Sequence, residues 1–111
     1  MSALLGLVTS RNGVPIRLTA ERWAHIVEAH DYLAGLHEWV LEVIADPDAI
    51  AVGWEGTLIA TQHRTETLLG EKDVIVVYRE EGTDDGFVIT AFMTSRVDKV
   101  WKRGVIWQRS P

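Results

Sequence analysis

Apolar positions along this chain keep two different rhythms, and the boundary between them lies at Asp46-Pro47-Asp48. Before it, Trp23, Ile26, Val27 and His30 stand at i, i+3, i+4 and i+7, one side of a helix. Thr19 precedes that run and offers a side-chain oxygen to the unpaired amides of the first turn, and Glu21 suits its positive end. A second helix is expected over residues 35–46, "GLHEWVLEVIAD", with Leu36, Trp39, Val40, Val43 and Ile44 as its buried stripe. The Asp-Pro-Asp triplet stops it. Ahead of both helices, "LLGLVTSRNGVPIRLT" reads as two short strands around the turn residues Asn12-Gly13.

Past residue 48 the rhythm is that of strands. "AIAVGW" and "TLIATQHR" flank Glu55-Gly56, a tight hairpin turn. "DVIVVYRE" is a continuous β-branched run and "FVITAFMT" a second central strand, with the polar turn "EEGTDDG" between them. Helices first and then about four strands in an antiparallel meander predict an α+β fold. The strand–helix alternation of a doubly wound sheet is missing, and so is any Gly-rich phosphate loop. No linker, repeat or low-complexity tract interrupts residues 1–111, so a single domain is expected.

Composition narrows this picture rather than changing it. With 47% hydrophobic and 24% charged residues the chain is an ordinary globular domain, neither disordered nor membrane-embedded. The opening "MSALLGLVTSRNG" lacks the basic region and apolar length of a signal peptide, so a cytoplasmic location is expected. The absence of cysteine removes thiol nucleophiles, disulfides and thiolate metal sites. A net charge of −5 argues against a nucleic-acid binder, but its distribution is uneven. The tail from residue 96 to 111 holds Arg96, Lys99, Lys102, Arg103 and Arg109 against Asp98 alone. It reads either as a solvated terminal helix or strand or as a surface for phosphates.

Two histidines share the first helix, five residues apart. At about 3.6 residues per turn that spacing puts His25 and His30 roughly 140° apart, unlike the i, i+4 pairs that share an ion. No metal and no cofactor is expected. His30 lies on the apolar side at the helix end, turned to the core or to a cleft beside it, whereas His25 faces solvent. Other candidates gather at strand ends: His63-Arg64, Lys72, Arg79 and Thr94-Ser95-Arg96. A sheet edge that collects cations and a hydroxyl suits a phosphodiester, although a charge at a strand end is more often only solvated. Arg79, Arg96, Lys99 and Lys102 are the expected substrate-binding cations.

The ordered set "IRLTAERWAHIVEAH", "VLEVIADPDAI", "GEKDVIVVYRE" and "DGFVITAFMTSR" resembles a family of small bacterial and phage-associated proteins grouped with the barnase, EndoU, colicin tRNase and RelE-like nuclease fold. The likeness covers roughly residues 16–96. It implies N-terminal helices packed on one face of a roughly four-stranded antiparallel sheet. It also implies an active centre of His30, Arg64 or Lys72, and Thr94. Where Pro-Glu often follows the family histidine, this chain has Asp31-Tyr32, and the likeness is weakest around His63-Arg64.

The resemblance implies a metal-independent ribonuclease that leaves a 2′,3′-cyclic phosphate, toxin-like, with RNA as substrate and an antitoxin or immunity-type protein as partner. A membrane is not among the expected partners. The alternative is a non-catalytic module of the same fold that binds protein or nucleic acid, which the acidic body of the chain favours. An enzyme acting on small molecules lacks any cofactor signal.

Overall fold

Residues 3–110 are described by a computed structural model. Met1, Ser2 and Pro111, which the sequence places in the same domain and its tail, lie outside the described residues. The elements in chain order are β1 (Leu4–Thr9), β2 (Pro15–Thr19), α1 (Ala20–Ala29), a 3₁₀ turn (Asp31–Leu33), α2 (His37–Ala45), β3 (Ala49–Val52), β4 (Leu58–Arg64), β5 (Lys72–Glu80), β6 (Gly86–Thr94), α3 (Val97–Trp101) and β7 (Val105–Gln108).

The seven strands form one mixed sheet in the order β1-β2-β6-β5-β4-β3-β7. This corrects the expected α+β fold. The described residues are mostly β, with three short helices on a seven-stranded sheet, not N-terminal helices on a four-stranded antiparallel one. Strands β3 to β6 do pair antiparallel in sequence order. Three more strands extend them. The hairpin β1–β2 joins through β2, which runs parallel to β6 and pairs it at Arg17↔Phe87. Burial explains this addition: Ile16 and Leu18 alternate with exposed Arg17, and beside β6 their apolar side lies under α1 and α2 in the same core as Val74 and Val76. At the other edge β7 pairs antiparallel with β3, so the basic tail is a helix followed by a strand.

Side chains alternate across each strand, so the sheet has two sides with separate cores. On one side, Val74, Val76 and Tyr78 of β5 meet Ile26 of α1 and Val40, Val43 and Ile44 of α2. On the other, Ile75 and Val77 pack with Ala51 and Ile59 under Val97 and Val100. Each fully buried aliphatic side chain contributes about 1.5–3 kcal/mol relative to exposure, and β5 is buried on both sides for its central five residues. Helix α2 touches β1, β4 and β5, and the sheet curls around it. Arg11, in the β1–β2 turn, lies with its guanidinium carbon 4.4 Å from the Trp107 ring centroid of β7, although the two strands stand at opposite ends of the sheet order.

Helix α1 begins as its sequence predicts, with the Thr19 hydroxyl accepting the Arg22 N–H at 3.1 Å. Thr19→Ala is expected to lower stability by about 1 kcal/mol in chemical denaturation, while Thr19→Ser leaves it nearly unchanged. The helix stops at Ala29. His30 is its C-cap, with its N–H bonded to Ile26 O at 2.8 Å, and the chain turns away there. Among the described residues no helix is long and apolar enough to cross a membrane.

Candidate functional site

Strands β4, β5 and β6 meet at one rim of the sheet, and their register decides which side chains share it. Arg64 pairs with Lys72 and His63 with Asp73 between β4 and β5, and Asp73 pairs with Thr94 between β5 and β6. The pleat therefore builds two rows, one on each side. Arg64 and Lys72 lie on the α1–α2 side, with Val74 and Met93. His63, Asp73 and Thr94 lie on the α3 side, with Ile75 and Phe92.

Ser95 belongs to the first row. One step beyond the Asp73↔Thr94 pair it stands opposite Lys72, whose Nζ donates to Ser95 Oγ at 2.6 Å. Among the described residues Lys72 has no carboxylate at ion-pair distance. Arg64 is held from above by α2. Its guanidinium carbon is 4.3 Å from the Trp39 ring centroid, and its Nη2 is 2.9 Å from Glu42 Oε2. Glu42 faces Nη2 as a charge, off the N–H direction, so Nε and Nη2 stay buried without a hydrogen bond. Two cations directly opposite on one side of a sheet repel each other. Glu42 offsets part of that repulsion on Arg64, and Lys72 meets only a neutral hydroxyl.

His30 reaches the same rim from the open edge of β6, which β2 leaves uncovered beyond its single pair at Phe87. The His30 ring lies 5.9 Å from that of Phe92, and its Nδ1 is 3.1 Å from the Tyr32 hydroxyl. That hydroxyl accepts the Met93 N–H at 3.2 Å. His30 is thus tied to the residue preceding Thr94.

The second row has different chemistry. His63 Nε2 is 2.7 Å from Glu71 Oε2, and Nδ1 is 3.3 Å from Asp73 Oδ1. The Glu71 hydrogen bond, with a smaller contribution from Asp73, raises the His63 pKa above its usual value. Thr94 Oγ1 accepts the Arg96 N–H at 2.9 Å.

The predicted centre therefore divides. Arg64 and Lys72 are adjacent on the α1–α2 side of the rim, whereas His30 stands at the β6 edge against Phe92, a side chain of the α3 side. Thr94 also turns to the α3 side, and Ser95 supplies the hydroxyl beside Lys72. No hydrogen bond joins His30 to Lys72, Arg64 or Thr94 among the described residues. The other predicted cations lie elsewhere. Arg79 sits at the far end of β5, 4.0 Å from Glu81. Arg96 bonds Asp98, whose carboxyl is held below its usual pKa by that bond and by Lys102. Lys99 and Lys102 are exposed, on and just after α3. Arg109 pairs with Asp46 and lies 3.7 Å from Asp48, so Arg96 and Arg109 of the basic tail are matched by neighbouring acids.

Sequence reasoning named Ser95 only within the strand-end group Thr94-Ser95-Arg96, took Thr94 as the hydroxyl, and missed Tyr32. Strand register, had it been known, selects Ser95 over Thr94; the signal for Tyr32 was its position two residues past the helix histidine. His25 is exposed as expected, and His37 packs edge-on at 6.0 Å from Trp23. Among the described residues no group of three or more histidines, aspartates or glutamates is placed to hold a metal ion. No protein-family model, no curated protein and no solved structure matches this chain.

Proposed function

We propose that this protein is a metal-independent ribonuclease whose phosphate-holding row is Arg64, Lys72 and Ser95 and whose acid–base group is His30. The observation that carries the reading is the pair of opposed cations, one of which is matched only by a hydroxyl. An anion set between them relieves their repulsion and meets a hydroxyl donor as well. The reading rests on this rim and not on the resembled fold, which differs from the one found.

In the reaction the 2′-oxygen forms a bond to phosphorus as the bond to the 5′-oxygen breaks. The 2′-proton goes to a base, and the leaving oxygen takes a proton from an acid. Lys72 and Arg64 stabilise the charge that grows on the non-bridging oxygens. His30, whose ring nitrogens can give or take a proton, serves one of the two transfers.

The test is cleavage of an oligoribonucleotide by the purified protein in chelator, with detection of the 2′,3′-cyclic end. His30→Ala is expected to lower the rate at least ~100-fold. Equal rates for both proteins remove His30 from the reaction. A non-catalytic binding module is the second reading, favoured by the hold of Glu42 and Trp39 on Arg64. It predicts that the wild-type protein retains RNA, or a partner protein, without cutting RNA.

A further inference from the structure

We infer that Tyr32 is a positioning residue for His30, fixing which imidazole nitrogen faces the reaction. The inference rests on the ribonuclease reading for its catalytic meaning and on the hydrogen bonds alone for its geometry. The Met93 N–H donates to the Tyr32 hydroxyl oxygen at 3.2 Å, and the same oxygen is 3.1 Å from His30 Nδ1. A phenol has one proton to give. The backbone N–H is a donor, and among the described hydrogen bonds of this hydroxyl Nδ1 is the one partner that can accept, so the phenol proton goes to Nδ1. Neutral His30 then carries its own proton on Nε2, and Nε2 is the atom presented away from Tyr32.

When His30 takes up a proton, Nδ1–H donates to the Tyr32 oxygen and the phenol proton turns aside. Both charge states thus keep Nδ1 on Tyr32 and leave proton exchange to Nε2. The ring of Phe92, tilted by 35° at 5.9 Å, limits rotation of the imidazole. Tyr32 itself is anchored to the sheet through Met93, and its ring packs against the main core, so the histidine is referenced to β6 and not to the end of α1.

Tyr32→Phe keeps the ring and removes the hydroxyl. With the full chain labelled with ¹⁵N, the His30 ring shifts are read by long-range correlation at a pH where the ring is neutral. Wild type is expected to show Nδ1 unprotonated and Nε2 protonated, and Tyr32→Phe is expected to move both nitrogens toward the averaged values of a free imidazole. In RNA cleavage the same variant is expected to lose about tenfold in kcat with KM unchanged, since substrate contacts remain. Unchanged ring shifts overturn the inference. So do shifted rings with undiminished kcat. If the wild-type protein cuts no RNA, the ribonuclease reading falls, and the ring shifts alone decide whether Tyr32 positions His30.

Discussion

Gly86→Ala is expected to destabilise the protein by about 3 kcal/mol or more, near the upper end for an overpacked site. Gly86 opens β6 opposite Glu80, and a Cβ there stands 2.5 Å from Ile16 Cδ1 and 2.6 Å from Arg79 O. The isoleucine terminus has some freedom to turn. The carbonyl does not, because it belongs to the β5 backbone, where Arg79 and Glu80 pair in register with Phe87 and Gly86. Relief therefore requires β5 and β6 to separate beside β2, where Ile16 is fully buried. Denaturant melts of Gly86→Ala and Gly82→Ala separate this steric effect from general loss of glycine. Gly82 has a positive φ but no atom within 4 Å of its Cβ position, so its penalty is backbone strain alone.

Alkaline solution is expected to weaken the fold through one side chain, Tyr78. Its hydroxyl is buried without a hydrogen-bond partner among the described residues. Burial, with Glu80 nearby as a smaller cause, pushes its pKa well above the ordinary tyrosine value of about 10. The folded state thus keeps a proton that the unfolded state releases above that value. Stability is undiminished below about pH 10 and falls as pH rises further, by up to about 1.4 kcal/mol per pH unit. At pH 12 the loss approaches about 2–3 kcal/mol. Tyr78→Phe removes this component, so the stability difference between the two proteins shifts in favour of phenylalanine between pH 10 and 12. At neutral pH the substitution is expected to be nearly neutral, because it removes a polar group that had no partner. A parallel decline in both proteins assigns the alkaline loss to other groups.

Local pattern carried much of the fold and little of its assembly. The expected span for α2 brackets the observed His37–Ala45, and the run "VIVVY" lies wholly within β5. Apolar spacing reports which side of an element is covered, and both elements have strong spacing. It does not report which strand lies alongside. Nothing in "PIRLT" distinguishes pairing with β1 alone from a second, parallel pairing with β6. Likewise "VIWQ" has strand character but no mark that selects β3. The candidate site failed at the same level. Thr94 and Ser95 are equivalent as hydroxyls in the sequence, and only the β5–β6 register makes Ser95 the neighbour of Lys72. Arg64 was the least supported candidate by resemblance, and pairing with Lys72 made it adjacent.

The Arg11–Trp107 contact bears on how the chain reaches this form. The turn at residue 11 is made well before its stacking partner, which follows 96 residues later. Strand β2 likewise waits for Phe87 before it has a neighbour other than β1. During that interval the hairpin is a two-stranded ribbon, which is marginal in water, and it presents Leu4, Leu5 and Leu7, each still exposed in the finished fold. Closure between distant segments is slow compared with local pairing. The growing chain therefore carries an uncovered apolar edge until Phe87 is made, and chains arrested or cut before it should pair with one another through β1 before intact ones do.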